Sequence, residues 1–406
     1  MIRAVKSSLN ATLWPAVVAM VWAAASGAGS AFAGAFTAGN LLVERLGDGS
    51  TTLSGTAAPV NLLEVTTSGS LVQTLSSQFT GDNLQTDSGS ATSNGYLGTG
   101  GGQYLAVPGH NAAVGTASVA SQNNKVAQII DATTGAVVSR VTFPTGGPSG
   151  TPPSPYSGNN FRSIIPTGSN TFYTAGTSSG SPGTGGIWYY NGTDFTQVST
   201  TVNNARNVEI YGNRLFFSTG SGTNGIYAVG TGLPTSGPQT ATLVPGLTAP
   251  TPYGFVMFDT NSDDVLDLAY VASDQITTGG GLNKYTFDGT TWSNQWSLLQ
   301  NANGTLSPTT AANFAGIRGL AGTFSNGTAT LFATTLESSN NRLISITDAG
   351  TTPTTFTTLQ SAGTNYVFRG VDVAAVPEPS TVVLAAAGVG LASLAARRRR
   401  LLRATA

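Results

Sequence analysis

The run best equipped for chemistry is Asp259-Thr260-Asn261-Ser262-Asp263-Asp264-Val265-Leu266-Asp267. Its side-chain oxygens alternate along the chain, and a further carboxylate closes it. Calcium takes six to eight oxygen ligands, so Asp259, Asn261, Asp263 and Asp267 can offer side chains and Val265 its carbonyl. The same composition also makes a solvated acidic hairpin turn. A second set is Arg162, Arg206, Arg318 and Arg369, each near the start of a short apolar run. Gathered at one place they would bind an anionic sugar, because guanidinium pairs bidentately with carboxylate. Held apart, each would bond an acidic neighbour or a carbonyl. Acid–base chemistry on a glycan needs two facing carboxylates. Glu44, Glu209, Glu337 and Asp372 are the candidates, and nothing in their spacing brings two together. Trp188, Tyr189, Tyr190, Trp292 and Trp296 can stack on sugars or fill a core.

Composition narrows the chemistry. The 406 residues include no cysteine, so there is neither a disulfide framework nor a thiolate metal site. The one histidine, His110, removes zinc sites built from several histidines. It follows Pro108-Gly109 and reads as a loop residue at a strand end. Only 9% of residues are charged, which with abundant Gly, Thr, Ser and Asn suits an extracellular β-protein. The formal charge of −1 hides an asymmetry: residues 34–376 carry 10 basic and 17 acidic groups, about −7. That balance argues against nucleic acid or anionic lipid as a partner.

The elements that must position these residues are short strands. No long segment of residues 34–375 keeps a helical apolar period, and alternating runs bounded by Gly, Asn, Asp and Pro recur instead. Ile187-Trp188-Tyr189-Tyr190 turns at Asn191-Gly192, and Leu282 through Phe287 turns at Asp288-Gly289, the dipeptides of tight hairpins. The same turns account for the glycosylation-like sequons at Asn191, Asn303 and Asn326. Four further hairpins lie within residues 62–72, 126–138, 226–244 and 343–356. A strand precedes each hairpin, and an opening strand precedes most of those, for example Phe161-Arg162-Ser163-Ile164 and Ile317-Arg318-Gly319-Leu320. Gly95-Tyr96-Leu97 is the opening strand expected for the second unit. Four strands per unit predict a β-propeller. Six units are countable, and residues 74–93 and 142–158 leave room for a seventh. The first unit lacks its opening strand and Phe368-Arg369-Gly370-Val371-Asp372-Val373 is left over, so the two ends should pair and close the ring. A β-sandwich or β-helix is the rival architecture. The opening pattern resembles NHL-like propeller repeats, and residues 259–267 resemble the calcium loops of FG-GAP-like blades. The departure is Asp264, where such loops have a glycine to turn sharply.

The ends of the chain carry addresses. Arg3 and Lys6, the apolar residues 13–25 and Ala31-Phe32-Ala33 make a secretory signal peptide over residues 1–33. At the other end, Val376-Pro377-Glu378-Pro379-Ser380 leads into apolar residues 381–396 and then Arg397, Arg398, Arg399 and Arg400. The apolar run is slightly short for a bilayer span of about 20 residues, but arginines can snorkel, and a basic stop marks the cytoplasmic side. An ordinary tail anchor has the same outline. The order Pro377-Glu378-Pro379, apolar helix, arginine cluster resembles the PEP-CTERM sorting tail, also known as the ice-binding-protein C-terminal domain. The resemblance covers only residues 376–406. It implies a single transmembrane helix, an exosortase-type processing enzyme as partner, and display at the surface or in the extracellular matrix.

These readings combine into an all-β, propeller-bodied protein exported through the inner membrane, membrane-anchored as a precursor. Its expected role is non-catalytic binding of exopolysaccharide or a protein, with calcium as the one cofactor. The competing reading is a secreted glycan hydrolase or lyase.

Overall fold

Short strands cut by glycine and asparagine can bury a face only by stacking sheet against sheet. The computed structural model describes residues 34–76, 79–100, 102–180, 183–310 and 313–375. The signal peptide at 1–33, the motif Pro377, Glu378 and Pro379, the apolar helix and Arg397–400 all lie outside the described residues. The helical turns Gly81–Asn83 and Val119–Ser121 are 3-10, and among the described residues no helix is long and apolar enough to cross a membrane.

The strands follow one another as antiparallel meanders. The first comprises β1 (Leu41–Leu46), β2 (Ala57–Val65) and β3 (Leu71–Leu75), and the next β4 (Thr86–Ser88), β5 (Tyr104–His110), β6 (Lys125–Asp131) and β7 (Ala136–Thr142). Then come β8 (Phe161–Pro166), β9 (Phe172–Gly176), β10 (Gly186–Tyr190) and β11 (Phe195–Ser199). After these are β12 (Val208–Tyr211), β13 (Arg214–Thr219), β14 (Gly225–Val229) and β15 (Ala241–Leu243). The fifth run is β16 (Pro252–Phe258), β17 (Leu268–Ser273), β18 (Gly281–Phe287) and β19 (Trp292–Asn301), with the short β20 (Leu306–Ser307) and β21 (Phe314–Ala315) at its edge. The last is β22 (Ile317–Ser325), β23 (Thr328–Thr335), β24 (Arg342–Asp348) and β25 (Thr357–Ser361), and β26 (Val367–Val373) ends the body. β26 pairs antiparallel with β1, Leu41 facing Val373 and Leu46 facing Val367. The expected pairing of the two ends is therefore present. β4 joins the first two meanders into one eight-stranded sheet by pairing β2 on one side and β5 on the other.

Two sequence expectations are corrected here. Between β3 and β5 only β4 forms, and between β7 and β8 there is no strand among the described residues, so neither stretch supplies a seventh four-stranded unit. Gly95-Tyr96-Leu97 is not a strand either. Tyr96 makes a single parallel bridge to Ser163 and Gly98 a single bridge to Ala106, because this segment lies between two meanders instead of extending one.

The sheets form a propeller-like ring, and the apolar cores lie between successive sheets. Ile129, Phe161, Phe172 and Trp188 join the second and third meanders. Leu215 and Phe217 meet Ile187 and Tyr173, Phe216 meets Phe255 and Trp292, and Tyr270 meets Leu331 and Ile344. Phe332 and Leu343 meet Val43 and Phe368, while Leu42 and Leu62 meet Leu105 and Val107, which completes the circuit. The inner strands approach so closely that only glycine fits. A Cβ on Gly254 would lie 2.8 Å from the Arg318 carbonyl oxygen, and one on Gly319 would lie 2.5 Å from that of Arg369. One on Gly370 would lie 2.8 Å from the Tyr96 Cα.

Candidate functional site

The innermost strands carry the residues with chemistry, and bulges aim them. Each of four inner strands gains one residue relative to its partner: between Phe161 and Ser163, Pro252 and Phe255, Ile317 and Leu320, and Phe368 and Val371. Arg162, Tyr253, Arg318 and Arg369 sit at these bulges, which turn the strand and re-aim its side chains. Arg206 lies just before β12, and the four arginines come near one another around Tyr96 and Tyr253. Arg206 and Arg318 both lie over the Tyr253 ring, 4.0 and 5.6 Å from its centroid, and Tyr253 packs 6.3 Å from Tyr96. Burial pushes the Arg162 guanidinium down to about 10, and the charge of Arg206 adds to this. Burial likewise lowers Arg369, with Arg318 opposing its charge while Asp87 supports it.

Each arginine also stitches neighbouring backbone. Arg162 Nη1 donates to the Ala205 carbonyl at 3.0 Å and to Asn204 Oδ1. Arg206 Nη1 donates to the Pro252 carbonyl at 2.9 Å, and Arg369 Nη2 to that of Gly89 at 3.0 Å. Arg318 reaches the Leu336 carbonyl at 3.0 Å and Asp274 at 3.4 Å. The arginines lie near one another, and each also bonds locally. The Nε of all four is buried without a hydrogen-bond partner among the described residues. Tyr96 and Tyr253, which organise the cluster, were not singled out from sequence as ligand-site residues.

Carboxylates lie further along the inner strands. Glu209 lies three residues beyond Arg206 and Asp372 three beyond Arg369, and both line one cavity of about 440 Å³ with Tyr211, Phe258, Ile165 and Leu320. Asp372 Oδ2 accepts from the Thr99 N–H at 2.7 Å and the Thr99 hydroxyl at 2.9 Å, and Oδ1 accepts from the Val373 N–H at 2.7 Å. Glu209 Oε1 accepts from Asn207 at 3.0 Å. Burial, then the neighbouring Asp372 charge, holds the Glu209 carboxyl well above its usual range. Burial also raises Asp372, outweighing its bonds to Thr99 and Val373. Of the four carboxylates named from sequence, the structure brings these two together. Glu337 pairs with Arg342 at 2.9 Å. Glu44 is fully buried near Asp87 and Arg369.

Asp259, Asn261, Asp263, Val265 and Asp267 form the exposed turn between β16 and β17. Asp264 has φ 66°, the left-handed backbone that the glycine of such loops supplies. Asp259 Oδ1 accepts from the Ser262 N–H at 2.7 Å and Oδ2 from that of Asp264 at 2.8 Å. Asp267 accepts from the Thr260 N–H at 3.0 Å and its hydroxyl at 2.7 Å. The backbone suits a cation loop, but the carboxylates turn onto their own chain. Among the described residues no three His, Cys, Asp or Glu side chains are placed to hold a metal ion.

His110 is not in a loop. It ends β5, fully buried, with Nδ1 3.3 Å from Asp87 Oδ1. Trp188 and Trp292 are core residues. A second hollow of about 350 Å³ is walled by Phe216, Met257, Phe287 and Trp292, with Arg214 and Asp264 at its lining.

The body is a propeller-like ring of sheets with charged residues along its inner strands, an architecture that by itself names no activity. The particular address is in the tail: residues 375–400 match the PEP-CTERM protein-sorting motif. The motif implies export and sorting to the cell envelope or surface, and it is the substrate signal for exosortase-type processing. No curated protein matches the chain. Among solved structures, it is similar to the computationally designed Ika8 protein, with TM-score 0.31, 10% identity, and coverage of 66% of this chain and 86% of that one.

Proposed function

We propose that the chain is a signal-peptide-directed, surface-sorted, non-catalytic six-bladed β-propeller, anchored before processing by one C-terminal helix, that binds acidic exopolysaccharide. The observation that carries this is the gathering of four guanidiniums near Tyr96 and Tyr253, with Arg206 and Arg318 over the Tyr253 ring and every Nε without a partner among the described residues. Buried donors without acceptors favour a ligand that supplies them, and carboxylate or sulfate groups on a sugar do so. The local positive cluster lies within an acidic body, so binding is confined to this end and falls with salt.

The test is a glycan screen of the full chain in detergent, scored for binding and for cleavage. Uronate-bearing polymers should bind, and Arg206→Gln should weaken them at least fivefold. Equal binding of neutral polymers, or no effect of Arg206→Gln, ends this reading, and capture of an acidic protein instead would move the ligand class. The enzyme reading has one observation in its favour, the shared cavity of Glu209 and Asp372, and release of shortened glycans would establish it. Calcium at residues 259–267 is a further proposal, supported by the ligand spacing and the left-handed Asp264. Asp267 would have to exchange its Thr260 bonds for the ion. A calorimetric titration with no heat at millimolar calcium disposes of it.

A further inference from the structure

The carboxylate end of the ring has a feature that the arginine end does not explain. Three other buried or half-buried carboxylates have a cation at hand: Asp348 meets Lys284 at 2.6 Å, Asp274 meets Arg318 at 3.4 Å, and Glu337 meets Arg342 at 2.9 Å. No lysine, arginine or histidine among the described residues lines the cavity that holds Glu209 and Asp372. Asp372 has three donors from Thr99 and Val373, whereas Glu209 Oε2 has no hydrogen bond among the described residues. Two acids that repel each other in a cavity with apolar walls lack one thing, a positive charge between them.

The walls decide which cation. Calcium needs six to eight oxygens, and Ile165, Ile210, Val256, Phe258 and Leu320 present carbon. The volume of about 440 Å³ falls within the range of about 300–1,000 Å³ usual for organic ligands. Phe258 and Tyr211 offer faces for the C–H side of a ring, and Thr99, Thr323 and the free Glu209 oxygen offer partners for hydroxyl groups. We propose that this end is a second site, which takes the protonated amine of an amino-sugar residue between Glu209 and Asp372. The site stands on the far side of the inner strands from the arginines and does not depend on their role.

The pH dependence follows from the ionised acids being the binding form. Both carboxyls are raised by burial, so affinity falls as the pH drops through that raised range. It falls again at high pH, when the amine loses its proton. The experiment is calorimetric titration of the full chain in detergent with glucosamine oligomers, with their N-acetylated counterparts, and with calcium chloride alone. The expected result is binding of the amine oligomers and not of their N-acetylated counterparts, with a bell-shaped pH profile, and any calcium heat unchanged by Glu209→Gln. Glu209→Gln, which keeps shape and removes charge, should cost at least tenfold, and Asp372→Asn should do the same. Asp194→Asn, an exposed turn residue, should change nothing. A melting curve identical to that of the parent certifies the Glu209→Gln protein as folded. Equal affinity for N-acetylated oligomers, calcium binding that Glu209→Gln abolishes, an unchanged Glu209→Gln variant, or cleavage of the oligomers would each overturn the proposal.

Discussion

Ring closure by β26 sets where the chain can be cut. Consider two products, one ending at Ala375 and one ending at Asn365, just before β26. Val367, Phe368 and Val371 are 1%, 3% and 5% exposed. At about 1.5–3 kcal/mol for each fully buried apolar side chain, their loss removes about 5–9 kcal/mol. Leu41, Leu42 and Val43 on β1 are fully buried and would be uncovered as well. Asn341 also loses two of its three side-chain bonds, since its Nδ2 donates to the Phe368 carbonyl at 2.9 Å and its Oδ1 accepts from the Phe368 N–H at 2.7 Å, and only the Nδ2 bond to the Thr335 carbonyl at 3.0 Å remains. Stripping a buried amide of such bonds costs about 1–3 kcal/mol more. The sum reaches the whole stability of an ordinary domain, about 5–15 kcal/mol. The product ending at Ala375 should therefore melt within about 2 °C of the intact body and resist protease. The product ending at Asn365 should lack a cooperative transition and be digested. Scanning calorimetry with limited proteolysis reads both. A cooperative melt of the shorter product within about 3 °C of the longer one would refute the closure argument, and with it the expectation that processing falls beyond Val373.

Other outcomes follow from single positions. Gly319→Ala places a Cβ 2.5 Å from both the Arg369 carbonyl oxygen and Thr334 Oγ1; because one of these is backbone, the variant should lose about 2–4 kcal/mol in urea unfolding. Asp264→Gly relieves a non-glycine residue at φ 66° and should be stabilising by about 0.5–1 kcal/mol in the same measurement. Lys125 is fully buried and its Nζ donates to the Gln122 carbonyl at 2.6 Å. Burial pushes its pKa down to about 7, with Asp87 only partly restoring it. Below that value the folded chain carries the full penalty of a buried ammonium. Between there and the ordinary lysine value of about 10.4, the unfolded chain holds the extra proton, so stability rises with pH. Unfolding measured from pH 6.5 to 9 should show this rise, and Lys125→Met should flatten it and raise stability at pH 7.

The repeat was legible because its signals are local. Asn191-Gly192 and Asp288-Gly289 form their hairpins, and the leftover run at 368–373 pairs with β1, as the strand count required. The pairing of Glu209 with Asp372 was hidden for a physical reason. In a regular strand, residues three apart point to opposite faces, so the shared spacing of Arg206 to Glu209 and Arg369 to Asp372 looked uninformative. A bulge inserts one residue, so that on β26 Arg369 and Asp372 are no longer bound to opposite faces. The recurrence of that spacing in two opening strands was the available signal. The burial of His110 against Asp87 had no such signal, because β4 reaches β5 from a segment with no strand pattern of its own.

The place where the body ends ties the two ends of the ring to sorting. Ala374 and Ala375 line the same cavity as Glu209 and Asp372, and the sorting motif starts at residue 375. Residues 376–380 reach at most about 18 Å when fully extended. If residues 381–396 span the bilayer as read from the sequence, the carboxylate end faces the membrane at short range in the precursor, and the arginine end faces away. Ligands should then reach the arginines before processing and the carboxylates only after it. Acidic and amine-bearing glycans titrated onto intact precursor in vesicles, and again after cleavage beyond Val373, separate the two. Amine binding that is already complete on the vesicle-bound precursor would show that the carboxylate end is open from the outset, and that the tail leaves the body along another path.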